Sequence, residues 1–303
     1  MPSELAVVIC THNPRADFLG RALAGLKAQT LPRERWELLV VDNRSDEPVA
    51  TRFDLSWHSR SRLVREDTLG LTPARLRGIR ESDADLLVFV DDDNVLAQDY
   101  LELALQAAAD RPYIGAWSGQ CLPNFESPPP EWTRRYWGNL CIRVFDTDRW
   151  SNMPRTPETM PAGAGLCVRQ AVARRYLALH DEGARGFQLD RTGNSLVSGG
   201  DQDLSACACE LGMGVGLIAA LRLEHLIPPE RLTADYLTRL AEGISFSATL
   251  LDAYWGIKTT PRGAVGRVID GLRALRLPQP HRRVLEAAYR GRNRAALLLE
   301  HGA

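Results

Sequence analysis

Leu86, Leu87, Val88, Phe89 and Val90 run without interruption into Asp91, Asp92 and Asp93, and no other stretch restricts the fold as tightly. Five apolar residues in a row have no polar face, so they suit a strand buried on both sides of an α/β sheet. The acidic triplet then stands at the strand's carboxyl end, the edge where open α/β sheets bind their ligands. Two explanations of three adjacent carboxylates are open. One is a solvated acidic turn ahead of a helix that starts near Gln98. The other is a divalent cation, Mg2+ or Mn2+, held by hard oxygen ligands and shared with the phosphates of a nucleotide.

The residues before this strand supply the rest of such a sheet. Leu5 to Cys10 and Glu37 to Val41 are strand-like, Phe18 to Ala28 has helical spacing, a shorter strand fits Arg62 to Arg65, and Pro73 to Glu81 fits a helix. This βαβ alternation predicts a mostly parallel sheet flanked by helices. After the triplet, Asp99 to Ala109 places Leu101, Leu105 and Ala108 on one helical face. Regular structure resumes at Gly165 to Val168, with helices expected at Gln170 to Leu179 and Asp201 to Leu211.

The stretch Pro123 to Pro161 breaks the pattern. Pro128-Pro129-Pro130 forbids a regular helix, and Trp132, Tyr136, Trp137 and Trp150 sit among arginines. Long irregular insertions in compact domains are usually functional loops. Trp132 and Trp137 either offer indole faces on which a ligand can stack or anchor the loop to the core. Between Arg262 and Glu300, nine arginines face only Asp270, Glu286 and Glu300, with aliphatic residues interleaved. Such a pattern fits either a helical appendage with a solvated basic face or an element that meets an anionic membrane surface or a partner.

Composition excludes several classes. With 303 residues and a formal net charge of −1, the chain has room for a large core and no global field that would draw nucleic acid. Six cysteines without zinc spacing predict reduced thiols rather than a disulfide scaffold. The first strand begins at once, with no basic n-region or cleavage site, and no apolar run is long enough to span a bilayer. A cytoplasmic enzyme is expected, with peripheral contact at the inner membrane face through the basic tail as the alternative placement. No GxGxxG follows the first strand, against a dehydrogenase.

Four segments carry the candidate chemistry. Thr11 and Asn13 follow the first strand and Asp42 and Asn43 end the second, presenting hydroxyl, amide and carboxylate groups suited to a base and ribose at the edge shared with the triplet. In Ser198-Gly199-Gly200-Asp201-Gln202-Asp203, Asp201 is either an N-cap or a general base that accepts a proton from an incoming hydroxyl. His225, ahead of Pro228-Pro229, is either a satisfied core histidine or a further metal ligand.

Taken in order, Val7-Val8-Ile9-Cys10-Thr11-His12-Asn13, Val40-Val41-Asp42-Asn43-Arg44-Ser45, Gly70-Leu71-Thr72-Pro73-Ala74-Arg75 and Phe89-Val90-Asp91-Asp92-Asp93 resemble glycosyltransferase family 2, the inverting group with the GT-A fold. The resemblance covers roughly residues 5 to 240. It implies a Rossmann-like α/β domain over 1–240, split into a nucleotide-binding half (1–115) and an acceptor and catalytic half (116–240), followed by a basic helical region (241–303). It further implies transfer of a sugar from a nucleoside diphosphate sugar, UDP- or dTDP-linked, to a saccharide or lipid-linked saccharide, with Mn2+ or Mg2+ as cofactor, in polysaccharide or glycoconjugate synthesis. By resemblance Asp93 is the main metal ligand and His225 binds metal or diphosphate. Asp91 and Asp92 then contact ribose or donor sugar, Thr11, Asn13, Asp42, Asn43 and Arg75 belong to the donor site, Asp201 is the base, and Gly200 and Asp203 lie on the acceptor side.

Two departures stand out. Leu76 occupies a position where the family often has asparagine, and Gly200 stands where it usually has glutamate. They leave open a weakly active or purely donor-binding module. A nucleotidyltransferase is the other alternative, although the loop Thr11-His12-Asn13-Pro14 lacks the glycines and basic residue expected there.

Overall fold

The computed structural model describes residues 3–187, 189–193 and 195–301. Its contacts divide the chain into two units. One contains the residues up to Asn124 together with Cys141–Ala184 and Asp201–Ile227; the other contains Phe125–Leu140, Arg185–Gly200 and the residues from Pro228 onward.

The first unit is α/β. It opens with β1 (Leu5–Thr11), α1 (Ala16–Lys27), β2 (Trp36–Asp42), the short α2 (Val49–Arg52), β3 (Ser61–Arg65), α3 (Leu71–Glu81) and β4 (Leu86–Val90). These strands are parallel in the order β3-β2-β1-β4. The register sets Thr11 beside Asp42, Asp42 beside Arg65 and Ile9 beside Val90, so all four carboxyl ends finish on one edge. The chain continues through β5 (Asn94–Leu96), α4 (Tyr100–Asp110), β6 (Ile114–Phe125), β7 (Arg149–Ser151), β8 (Leu166–Arg169), α5 (Gln170–Asp181), α6 (Gly200–Glu210) and β9 (Gly214–Ile227).

Period-two alternation sorts the core onto two faces. Val7, Ile9, Leu38, Val40 and Val88 pack with Leu19 and Leu23 of α1 and Leu101 of α4. Val8, Leu39, Val41, Leu87 and Phe89 pack with Ala74 and Ile79 of α3, Val172 and Tyr176 of α5, and Leu204 and Cys207 of α6. Burial on both faces is what the uninterrupted apolar runs required.

Beyond β4 the sheet continues β8-β6-β9-β5 with β7 on β9, and the pairings β4–β8, β8–β6, β9–β5 and β9–β7 are antiparallel. The parallel arrangement expected from the βαβ pattern therefore holds for the first four strands, and the other half is antiparallel. β6 and β9 also escape a reading based on side-chain alternation. A Cβ at Gly119 of β6 would strike the Leu221 carbonyl of β9, so close backbone approach defines this part of the sheet. All six cysteines are free, and Cys121, Cys167 and Cys207 are buried, as expected of core thiols. Burial pushes the Cys121 and Cys167 thiols well up.

The second unit is helical. α7 (Ala234–Tyr254) is capped by the Thr233 hydroxyl, which accepts from the Tyr236 amide at 3.3 Å, and is followed by α8 (Ala264–Leu275) and α9 (His281–Glu300). Gly291 allows close approach of α9, because a Cβ there would meet the Glu242 carbonyl of α7. Arg283 reaches Asp235 at 2.7 Å, and Arg290 and Arg294 reach Glu242 at 3.2 and 3.3 Å. Part of the basic tail is thus consumed in joining α9 to α7.

His58 reports on the packing of the α/β unit. Its ring lies edge-on to Trp36 with centroids 4.2 Å apart, Nδ1 accepts from the Arg60 amide at 3.2 Å, and Nε2 is buried without a hydrogen-bond partner. Burial, reinforced by the charges of Arg33 and Arg60, lowers its pKa from 6.5 to about 4. The folded state holds His58 neutral while the unfolded chain takes up a proton, so stability is retained above pH 6.5 and declines as pH falls towards about 4. Urea titrations across this window are expected to show a smaller decline for His58→Phe than for the wild type.

Candidate active site

The acidic triplet forms the turn that leaves β4. The Asn94 amide donates to the Asp91 carbonyl at 3.0 Å, and the Leu226 amide donates to the Asp93 carbonyl at 2.8 Å. Antiparallel pairing of β5 with β9 sets Asn94 opposite His225, which brings the imidazole to the turn. His225 Nε2 lies 3.5 Å from Asp93 Oδ2, and each residue is 6% exposed. Asn94 Nδ2 donates to Asp93 Oδ1 at 3.0 Å, and Asn94 Oδ1 is buried with no hydrogen-bond partner. At the end of β1, the Thr11 hydroxyl donates to Asp92 Oδ2.

Among the described residues, no cluster of three or more His, Cys, Asp or Glu side chains is arranged to enclose a metal. The donor set of Asp93 and His225 instead suits a hard cation that keeps open positions. Mg2+ is typically bound by one or two carboxylates with the remaining positions filled by substrate phosphates and water.

Asp201 sits in the first turn of α6. Its Oδ2 accepts from the Gly163 amide at 2.7 Å and its Oδ1 from the Gln202 amide at 2.9 Å. These bonds fix the carboxylate and leave further lone pairs free to accept a proton. Gly163 stands three residues before Leu166, Leu166 is paired with Phe89, and Phe89 stands two residues before Asp91. Asp201 and the acidic turn therefore occupy the same end of the β4–β8 pair. Tyr100 braces that end by donating from Oη to the Gly165 carbonyl at 2.6 Å.

Arg75 of α3, 4% exposed, joins the same place: a Cβ on Gly163 would lie 2.8 Å from Arg75 Nη2 and 3.3 Å from Asp201 Oδ2. Gly163 is a site residue that reasoning from sequence missed. Its only signal there was the run of small residues Ala162-Gly163-Ala164-Gly165.

The remaining donor candidates build the platform beside this edge. Asp42 Oδ1 accepts from the Ser45 amide at 2.9 Å and Oδ2 from the Val49 amide at 3.1 Å. Burial alone would raise the Asp42 carboxyl, but these amides, the Ser45 hydroxyl and Arg65 together hold it below the usual carboxylate range. Asn43 spends its carboxamide on three bonds: Nδ2 donates to the carbonyls of Glu66 (3.1 Å) and Thr68 (2.7 Å), and Oδ1 accepts from the Gly70 amide (2.8 Å). The amide of Asn13, at φ 50°, donates to Ser45 Oγ at 3.0 Å, its Nδ2 donates to Asp46 Oδ2 at 2.9 Å, and its Oδ1 accepts from the Asp46 amide at 2.9 Å. Asp42 and Asn43 thus brace the loops after β1, β2 and β3 against one another.

The family model for glycosyl transferase family 2 matches residues 6–169, a span that holds the loops after β1, β2 and β3, the acidic turn and Gly163. The chain belongs to this family. Glycosyltransferase AglE of Haloferax volcanii is 31% identical over 101 residues, which make up 32% of this chain and 33% of AglE. The chain thus spans about a third of the length of that relative. Among solved structures, the mannosyltransferase PcManGT from Pyrobaculum calidifontis, in complex with GDP-Man and Mn2+, is similar with a TM-score of 0.60 at 17% identity, covering 99% of this chain and 90% of that one. S. aureus TarS 1-349 is similar with a TM-score of 0.52 at 12% identity, covering 99% and 92%. The fold is the GT-A fold.

The two departures from the family 2 pattern have structural explanations. Leu76 is a core side chain of α3, packed in the cluster that contains Val8 and Phe89. Gly200 is required by Asp190 of the same unit: Asp190 Oδ1 accepts from the Gly200 amide at 3.2 Å, and a Cβ at 200 would overlap that carboxylate. A glutamate at 200 would require the Asp190 side chain to move aside. Asp203, on α6, is buried.

Trp132 and Trp137 belong to the helical unit and already have aromatic neighbours. Trp132 lies 6.2 Å from the rings of both Tyr136 and His281, and Trp137 lies 5.1 Å from Phe125 while donating to Thr133 Oγ1 at 3.3 Å.

Gly200→Ala is expected to lower unfolding stability by about 1–3 kcal/mol through overpacking. Combining it with Asp190→Ala is expected to recover part of that loss, read as a coupling energy in a double-mutant cycle by urea denaturation.

Proposed function

We propose that this family 2 member is an inverting glycosyltransferase. It takes a nucleoside diphosphate sugar as donor and the hydroxyl of a saccharide or lipid-linked saccharide as acceptor, in the cytoplasmic synthesis of a polysaccharide or glycoconjugate. The observation that carries this reading is the anchoring of Asp201 on Gly163, at the strand end where Asp91, Asp92 and Asp93 leave β4. A base and an acidic phosphate-facing turn at one strand end are what displacement at an anomeric carbon requires.

Asp201 accepts the proton of the acceptor hydroxyl as its oxygen bonds to the anomeric carbon, and the bond from that carbon to the diphosphate oxygen breaks on the opposite face. In-line displacement inverts the centre. Both Asp201 oxygens are oriented by amides, so little reorganisation is needed as the proton arrives. Arg75 brings a buried guanidinium to the same point, where it orients an anionic donor. A Mn2+ or Mg2+ held by Asp93 and His225 would neutralise charge on the departing diphosphate. The Mn2+ and GDP-Man bound to PcManGT support that cofactor and that class of donor. The base is open to test among uridine, thymidine and guanosine. For the acceptor, Trp132 and Trp137 are the aromatic candidates.

Asp201→Asn is expected to fold and bind donor with unchanged affinity while transfer falls about 10²- to 10⁴-fold. Turnover at the wild-type rate removes Asp201 from the reaction. Asp93→Ala is expected to abolish the Mn2+-dependent part of donor affinity in calorimetry. An affinity for every nucleotide sugar tested that is indifferent to Mn2+ in the wild type rules out the cation. Loss of transfer with intact folding in Trp132→Ala/Trp137→Ala assigns those rings to the acceptor, whereas full transfer assigns them to packing.

A further inference from the structure

α8 is amphipathic with its faces reversed. Asp270 and Ala274 are buried, while Val265, Val268, Ile269, Leu272 and Leu275 are between 44% and 75% exposed. At 3.6 residues per turn, these five fall on one stripe, and Asp270 and Ala274 lie on the opposite side. The buried carboxylate is held by Arg262 at 3.5 Å and Arg273 at 3.8 Å. A helix whose only task was to cover its own unit would turn the aliphatic stripe inward and leave the aspartate in water. Here the carboxylate is taken out of water and the aliphatic row is presented to it, an arrangement that makes sense when another apolar phase receives the row.

We propose that α8 lies in the plane of an anionic lipid bilayer surface, with Val265, Val268, Ile269, Leu272 and Leu275 inserted into the boundary between headgroups and acyl chains. Charge selects this occupant. Of the nine arginines between Arg262 and Glu300, six pair with Asp235, Glu242, Asp270 or Glu286, and Arg267, Arg276 and Arg292 form no ion pair among the described residues. Arg276 follows the stripe at the helix C-cap and forms no ion pair among the described residues, and Arg262 and Arg273 are 43% and 59% exposed along their side chains. Anionic headgroups complement this fringe, and the arginine stems reach them while their aliphatic portions stay on the apolar side. A second copy of the chain would set one arginine fringe against another. The stripe contains no aromatic, hydroxyl or amide group, so it suits acyl chains rather than a polar partner surface. No described helix is long and apolar enough to cross a membrane, so the contact proposed is one at the surface. It does not depend on the transfer reaction.

The test is flotation of the full chain with vesicles of phosphatidylcholine alone and of phosphatidylcholine mixed with phosphatidylglycerol. The wild type is expected to float with the mixed vesicles and to be released by salt. Ile269→Glu/Leu272→Glu is expected to reduce flotation to the phosphatidylcholine background. Both side chains are exposed, so an unchanged thermal melt by circular dichroism is expected to accompany the loss. Arg276→Gln is expected to shift release to lower salt. Equal flotation of the wild type and the double variant overturns the proposal, as does failure of the wild type to bind mixed vesicles. Sedimentation showing a dimer that the double variant dissolves, with no vesicle binding, also overturns it and assigns the stripe to a second copy.

Discussion

The antiparallel pairing of β8 with β4 is the constraint on which the candidate site depends. β4 ends in the acidic turn, and β8 begins just after Gly163, whose amide holds Asp201. Pairing Phe89 with Leu166 brings the two ends together, although they come from segments about seventy-five residues apart in the chain. The hydrogen bond from Tyr100 to the Gly165 carbonyl then holds this end of the ladder in place. A shift of β8 by one residue would turn Leu166 and Val168 from the α3, α5 and α6 side to the other face, so core packing and site geometry are specified by the same register.

Around that edge the work is divided between groups that face the site and groups that hold the loops. Asp42 and Asn43 have the composition of ligand contacts, yet each is committed to backbone partners within the platform. These bonds make the platform rigid, and a rigid platform lowers the ordering cost of binding any ligand there. Thr11, Asp91, Asp92, Asp93, His225, Arg75 and Asp201 are the groups to which the proposed chemistry falls. Gly163, having no side chain, leaves room for both Arg75 and Asp201 beside its backbone. The same economy appears at Gly200, where an absent side chain leaves room for the Asp190 carboxylate.

In the helical unit, charge is used for cohesion and then left over. Arginines of α9 neutralise Asp235 and Glu242 of α7, and the close approach at Gly291 makes those contacts short. α8 receives the remainder: an inward aspartate in ion-pair range of two arginines and an outward aliphatic row. Overall net charge, at −1, hides this local imbalance entirely.

Local pattern was enough to determine β1, β2, β4, α1, α3 and α5 to within a residue or three, because each is bounded by turn residues and has a periodicity that only one element satisfies. The acidic triplet at a strand end, Asp201 at the start of a helix and free core cysteines were legible for the same reason. Tertiary structure alone decided the antiparallel half of the sheet, because β6 and β9 are defined by backbone approach at Gly119 and by a partner distant in sequence. It alone showed that Asn43 is spent on the loops, that Gly163 leaves room for both Arg75 and Asp201, and that Asp190 explains Gly200. It also decided which face of α8 turns outward, since amphipathic spacing reveals that a helix has two faces but not which one its own unit will bury.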